Sequence, residues 1–322
     1  MNPAEPQPFP VPVRDEVGGA DRLLAARLFR EEALREGFLR AGIARAGRPP
    51  RFDRFERWIA EGHHAGMQYL EDTAAVRASP AEILPGAKSV VCLSAAHAPE
   101  PRVASDGSRI ARYAAGADYH GSLRERAVRV AGAVADRLGA PFSWRVCVDS
   151  TPIAERSFAA AAGLGWIGKN GCLIDPDRGS FLLLAEIVTD LDLPPDEPLA
   201  ERCGSCVRCL DACPTSAFVA PGVLDARSCL AYWTIEHRGP FPASIEERLG
   251  GRVFGCDDCQ DACPWNHPLS APVSDAVPTR SEWLSMGRGE WRRRYGATAL
   301  NRAGRRGLQR NAAASSSPGG DR

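Results

Sequence analysis

Eight of the 11 cysteines lie between residues 203 and 263, and their spacing specifies a chemistry. Cys203-x2-Cys206-x2-Cys209-x3-Cys213-Pro214 is the bacterial ferredoxin run for a 4Fe-4S cluster. Three thiolates on one tight loop cap three irons of a cube, and the fourth, past the turn and stopped by proline, faces a second cluster. Cys256-x2-Cys259-x3-Cys263-Pro264 repeats that run with Val253 in place of its first cysteine, and Cys229 is the remaining thiol nearby. Crosswise ligation assigns Cys203, Cys206, Cys209 and Cys263 to one cluster, and Cys213, Cys229, Cys256 and Cys259 to the other. Zinc is the competing reading of C-x2-C pairs, but two C-x3-C-P endings are a ferredoxin trait. Cys92, Cys147 and Cys172 stand apart as bystanders. Two such clusters move single electrons, so the larger N-terminal portion must hold the acceptor.

The rest of the chain has to position that acceptor. Its 322 residues suggest two domains, and a hydrophobic fraction of 44% is enough for a real core. No apolar run approaches a membrane span. The proline-rich, acidic N-terminus has no basic n-region followed by an apolar h-region, so a cytoplasmic setting with reduced thiols is expected. Apolar periodicity predicts helices from residue 22 and over 54–70, 123–138 and 152–162, with strands over 88–96, 143–148 and 180–188. The PPDEP run at 194–198 reads as a linker. The expected organisation is a disordered tail at 1–20, a mixed helix and strand domain at 21–200, a two-cluster domain at 201–268, and a basic helical segment with a disordered end at 269–322. The 40 basic and 40 acidic residues cancel overall, yet residues 280–310 carry nine arginines against Glu282 and Glu290.

Two motifs are lures. Gly163-Leu-Gly-Trp-Ile-Gly168-Lys169-Asn170 has G-x-G-x-x-G spacing, but an alanine-rich helical segment precedes it where a Rossmann fingerprint needs a strand. Gly163 reads as a helix C-cap. Asn170 replaces the Ser/Thr that a P-loop needs for magnesium. Lys169, one of two lysines, sits in a turn or in a glycine-rich loop around a cofactor. Asp149 ends a predicted strand; from local pattern it is a helix N-cap, as Ser150 also is before Pro152, while a buried general acid is the alternative. The six histidines show no ligand spacing beyond the adjacent pair His63-His64, and most read as surface residues.

The combined pattern resembles epoxyqueuosine reductase, a cobalamin-dependent iron–sulfur family of tRNA queuosine synthesis. The matching segments are RYAAGADYH (112–120), VDSTP (148–152), AGLGWIGKN (162–170), the Cys203 run to Thr215, CLAYWTIE (229–236), GCDDCQ (255–260), CPWN (263–266) and RRGLQRN (305–311). Together they span about residues 22–312. The resemblance implies an α+β fold, with a corrinoid-binding, α/β-sandwich-like domain followed by a ferredoxin-like two-cluster domain. It implies two 4Fe-4S clusters and cobalamin as cofactors, and reduction of epoxyqueuosine to queuosine at the wobble position of tRNA. The family's proton donor falls on Asp149, which replaces the cap reading. Its corrinoid-contacting positions fall on Arg77, Asn170, Leu173 and Asp257, with Asp149 and Lys169 beside them. Arg156 and Arg238 fall near the tRNA.

The arginine-rich segment then gains a purpose. Arg292, Arg293, Arg294, Arg302, Arg305 and Arg306 are expected to hold phosphates without reading sequence, specificity coming from the modified base extruded into the pocket. A solvated basic helix is the plain alternative. Other expected partners are an external low-potential electron donor and no membrane, with the chain a monomer. Departures from the family are Ala231 in place of a serine, no tyrosine in LSAAH (93–97), and no C-terminal helical-repeat domain of the longer members. Leu123 breaks the D-x-H-x-x-G motif of histidine-ligated corrinoid proteins, so no protein histidine is expected on cobalt. The rival readings are a corrinoid reductive dehalogenase, whose usual export signal is absent, and a plain ferredoxin-type carrier, which leaves the upstream residues without a task.

Overall fold

Alternation along β2 (Ser89–Ala96) determines the layering, because successive side chains of a strand point to opposite faces. Val91, Leu93 and Ala95 enter one apolar layer; Val90 and Cys92 enter the other. In this computed structural model residues 19–97, 100–114, 116–266 and 277–315 are described. β1 (Arg40–Arg45), β2, β3 (Trp144–Cys147) and β4 (Leu182–Thr189) form one antiparallel sheet in the order β1-β2-β4-β3.

Helices α1 (Gly19–Arg35) and α2 (Tyr119–Leu138) cover the first face, burying Phe29, Leu123, Val130 and Val134 against it. The short α3 (Glu155–Ala161) covers the second through Phe158 and Ala159. Gly42 permits its close approach: a Cβ there would lie 2.1 Å from the Ala162 carbonyl. The result is a helix–sheet–helix sandwich, as the resemblance implied.

Several sequence readings shift. β1 was missed by the pattern, because RAGIAR carries only one large apolar, β-branched residue, Ile43. The helix read over 54–70 is Phe52–Ala60 with a separate turn at Tyr69–Asp72. The PPDEP run is no loose linker: the Asp196 amide donates to the Ile43 carbonyl at 2.9 Å, Asp196 accepts from the Ile43 amide at 2.8 Å, and Arg30 pairs with it at 2.6 Å. Gly163, at φ +73°, follows α3 as its left-handed stop. Residues 163–174 form a small hairpin, Trp166–Ile167 against Leu173–Ile174, which removes the dinucleotide and P-loop alternatives.

The basic C-terminal segment builds a third core. α5 (Arg280–Ser285), α6 (Arg288–Tyr295) and α7 (Gly304–Ala314) bury Trp283, Trp291, Leu308 and Ala312 against Ala114, Val253 and Phe254. Buried Asn311 donates to the carbonyls of Thr234 and Val253, both at 2.7 Å. The tails at 1–18 and 316–322 and the 267–276 segment, with His267, lie outside the described residues. Among the described residues no helix is long and apolar enough to cross a membrane.

Candidate active site and cluster sites

The two cysteine runs fold into matching turns. In the first, Leu210 and Asp211 donate to the Val207 carbonyl, Ala212 to Arg208 and Cys213 to Leu210. In the second, Gln260 and Asp261 donate to Asp257, Ala262 to Asp258 and Cys263 to Gln260. The helical turns Arg208–Asp211 and Asp258–Asp261 pack on each other, so each run's final cysteine is carried toward the other run's thiols.

Cys203, Cys206, Cys209 and Cys263 line one cavity with Lys169, Asn170 and Trp265. The other four thiols act on one another: Cys213 on Cys229, Cys229 on Cys256, and both Cys256 and Cys229 on Cys259. Burial, followed by the Asp258 charge, pushes Cys256 up to about 12, so iron must expel the proton to bind there. Four thiols around a shared space fit a cubane, whose irons each take one thiolate. Among the described residues no three His, Cys, Asp or Glu side chains are placed to hold a single metal ion. The Ala217 amide also donates to Cys213 Sγ at 3.2 Å, the kind of bond that tunes a cluster's potential.

Cys172 is no remote bystander. Burial pushes its thiol up to about 11, Cys263 and Cys209 act on it, and it acts on Cys259. It lies between the two thiol groups. Cys92 and Cys147 are buried in the sheet on either side of Glu186.

Asp149 follows β3 in left-handed backbone, φ +47°, which a non-glycine residue holds only when its surroundings impose it. Two contacts do so. Its amide donates to Glu155 Oε1 at 2.6 Å, and its Oδ2 lies 2.7 Å from His120 Nε2. α3 begins at Glu155 after Ala154, with no side-chain cap; neither Asp149 nor Ser150 is the N-cap. The His120 hydrogen bond holds Asp149 below the usual carboxylate range, against the opposing effect of burial. Bonds to Asp149 and Asp118 raise His120 to about 9 despite its burial. Burial, then the Asp149 charge, lifts Glu155 to about 7.

Sequence pattern alone did not find His120 or Glu155; His120 is half-buried. The available signals were Asp118-x-His120 at a helix start and Glu155 six residues beyond Asp149. The remaining expected site residues scatter around this centre. Arg77 donates to Thr73 Oγ1 at 3.1 Å and to the Ile153 carbonyl at 3.3 Å. Asn170 donates to the Cys259 carbonyl at 3.4 Å and accepts from the Cys172 amide at 3.1 Å. Asp257 accepts from the Arg112 amide at 2.8 Å, and burial raises it to about 6. Leu173 is packed into the second apolar layer, so its side chain offers little surface to a ligand. Lys169 donates to the Gly204 carbonyl at 2.7 Å, at the first thiol cavity.

The arginines divide. Arg156 donates to the Gly171 carbonyl at 2.5 Å, and Arg238 to the carbonyls of Ile235 and Arg302, both at 2.7 Å. Arg294 pairs with Glu290 at 3.0 Å, Arg305 bonds Gln309 at 2.7 Å, and Arg302 pairs with Glu236 at 2.8 Å. Arg292, Arg293 and Arg306 are exposed with no partner among the described residues.

Residues 202–266 match the 4Fe-4S double cluster binding domain family, and residues 77–150 match epoxyqueuosine reductase QueG, DUF1730. The epoxyqueuosine reductase of Xanthomonas campestris pv. campestris is 43% identical over 204 residues, 61% of this chain and 57% of that protein. The chain spans little more than half the length of the curated relatives it matches. A crystal structure of epoxyqueuosine reductase with an epoxyqueuosine-modified tRNA-Tyr stem loop is 30% identical, with a TM-score of 0.83 over 91% of this chain and 80% of that one. A structure from Bacillus subtilis with its catalytic loop swung out of the active site gives 30% identity and a TM-score of 0.79, again over 91% and 80%. With sandwich, paired cluster turns and C-terminal core all inside that overlap, the chain belongs to the epoxyqueuosine reductase family.

Proposed function

We propose that this chain reduces epoxyqueuosine in tRNA to queuosine, with two 4Fe-4S clusters and cobalamin as resident cofactors and Asp149 as the residue that protonates the epoxide oxygen. The observation that carries the reading is a run of hydrogen bonds, joined at two points through adjacent residues, from Asp149 to the second thiol set. It runs through Glu155, Arg156 and the Gly171 carbonyl to Cys172, and from there through Asn170 to Cys259. Buried Tyr113 feels the charges of both Asp149 and Asp257, which supports a role for the two carboxylates at one site.

The donor set suits a corrinoid. Arg77, Asn170 and Asp257 offer donors and acceptors to a macrocycle fringed with amides, and both nitrogens of His120 are committed to carboxylates. When bound, the corrinoid supplies a strongly reducing, nucleophilic metal, fed one electron at a time by the clusters. This chain's residues do the rest. Glu155 fixes the Asp149 backbone, Asp149 holds a proton for the ring oxygen, and the conversion takes up two electrons and two protons as it releases water. An external low-potential donor supplies the electrons. Exposed Arg292, Arg293 and Arg306 hold tRNA phosphates, and the relative crystallised with a modified stem loop supports that partner.

The test is anaerobic reconstitution with iron, sulfide and cobalamin, followed by a strong reductant and tRNA carrying epoxyqueuosine. Queuosine in the nucleoside digest is expected; its absence overturns the reading. Asp149→Asn should keep the cluster and corrinoid absorption and lose turnover.

A further inference from the structure

A residue that protonates an epoxide must arrive with a proton, yet the His120 bond favours Asp149 as a carboxylate. The geometry shows where the proton waits. We propose that His120 is the proton reservoir of this site, loading Asp149 across the Nε2–Oδ2 hydrogen bond while Asp118 fixes its ring. The inference rests on the functional reading above and deepens it.

His120 Nδ1 lies 2.5 Å from Asp118 Oδ1, and Nε2 lies 2.7 Å from Asp149 Oδ2. A neutral imidazole has one N–H, so with ionised partners one of these contacts would set two lone pairs against each other. Only the imidazolium satisfies both. Asp118 is itself anchored, because it caps α2 by accepting from the His120 amide at 3.0 Å. Tyr119 stacks on the imidazole, centroids 4.1 Å apart and planes at 22°, which holds the ring plane.

Two effects oppose the charge, namely burial and the positive end of α2. The helix dipole is worth about 0.3–1 kcal/mol, less than two carboxylates at hydrogen-bonding distance. The groups facing the pair are Asp118 and Tyr119 from the helix start, Asp149 and Glu155 from the β3–α3 connection, Tyr113 from the 112–114 turn, and Glu186 from β4. Arg302 reaches it from the C-terminal core, with Arg77 and Tyr69 from the 69–77 turns. Arg302 is neutralised by Glu236 and lies over the Tyr69 ring at 5.4 Å.

The proton step balances. As the epoxide carbon–oxygen bond breaks, the His120 Nε2 proton crosses to Asp149 Oδ2 and passes on to the oxygen, leaving a neutral ring and an Asp149 carboxylate. The ring reloads once more to supply the second proton as the oxygen leaves as water. The two electrons come from the external reductant, and the ring reloads from water because its side chain is 32% exposed. His120 acts through Asp149, as a positioning residue.

Two measurements test this. NMR of the His120 ring in the cofactor-free chain should show it protonated up to about 9, and falling by a unit or more in Asp149→Asn. A wild-type ring neutral at pH about 7.5 overturns the relay. In the reconstituted enzyme, His120→Gln keeps a donor for Asp149 but carries no exchangeable charge. It should lose about 10- to 100-fold in kcat and the alkaline limb of the pH profile, with KM for tRNA unchanged. Wild-type kcat with the same limb in that variant overturns the proposal. Wild-type enzyme in the same assay separates the two readings: if it is inactive, the functional reading fails and takes the proton step with it, whatever the ring titration gives.

Discussion

The Trp166 indole meets Trp265 edge to face, with ring centroids 4.8 Å apart and planes at 78°. Trp166 belongs to the hairpin after α3, and Trp265 lies two residues beyond Cys263, so the contact joins the sandwich to the cluster turns. Ile174, Cys203 and Cys263 pack around it. A cluster ligand is therefore placed by the domain that precedes it. Trp166→Ala should cost about 3–5 kcal/mol and empty the first thiol cavity of iron. Trp166→Phe should be far milder, because the Trp166 Nε1 has no hydrogen-bond partner among the described residues. Denaturant midpoints and iron content check both; equal losses in the two variants would refute the packing argument.

Cys229 is the proposed ligand from outside the two runs, at the residue just before α4 (Leu230–Ile235). Cys229→Ala should lower the iron of anaerobically reconstituted protein from about eight per chain to about four, with one reduced-cluster EPR signal retained. Cys172→Ala should keep both clusters, since Cys172 lies between the thiol sets and belongs to neither. Undiminished iron in Cys229→Ala would remove it from the ligand set.

The turns around the cysteines were legible because ligand spacing is a local property. The Cys203 run and the Cys256 run each make their own turn, and Cys263 lines one cavity with Cys203, Cys206 and Cys209. The buried strand at 88–96 was legible too, as an apolar run too short for a helix. His120 and Glu155 were hidden because their roles arise from tertiary approach: one starts α2, the other starts α3, and only the sheet brings both to Asp149. Glu186 was hidden for another reason. An apolar strand pattern, LLLAEIVT, gives no warning that its one acid is fully buried, with neither carboxyl oxygen partnered among the described residues. Nor does composition separate arginines that bind inward, such as Arg302 and Arg305, from those left for a polyanion.

That separation makes a prediction. Each phosphate contact contributes about 0.7–0.9 to the slope of log affinity against log salt. Replacing Arg292, Arg293 and Arg306 together by Ala should lower the slope for a modified stem loop by about two to three. Arg294→Ala should leave it unchanged, since its charge is already paired with Glu290 at 3.0 Å. Fluorescence anisotropy over a salt series measures this, and equal slopes in the triple variant and wild type would send the phosphate path elsewhere.

The acid cluster around Asp149 should make stability depend on pH. Glu155 titrates at 4.5 in the unfolded chain and about 7 when folded. Below the first value both states bind its proton; between the two, only the folded state does, so stability falls as pH rises. His120 behaves alike, its contribution complete below 6.5 and lost as pH rises through about 9. Asp149 has the opposite sign, its folded value being depressed: its contribution is present above 3.8 and lost only as pH falls through the lowered value. Urea midpoints of the cofactor-free chain should therefore decline in two steps between about pH 5 and about pH 10. Glu155→Gln keeps an acceptor for the Asp149 amide and should abolish the lower step alone; His120→Gln should abolish the upper one. Difference curves against wild type cancel the remaining titrating groups. A Glu155→Gln curve parallel to wild type from about pH 5 to about pH 7.5 would show that Glu155 does not hold its proton in the folded chain.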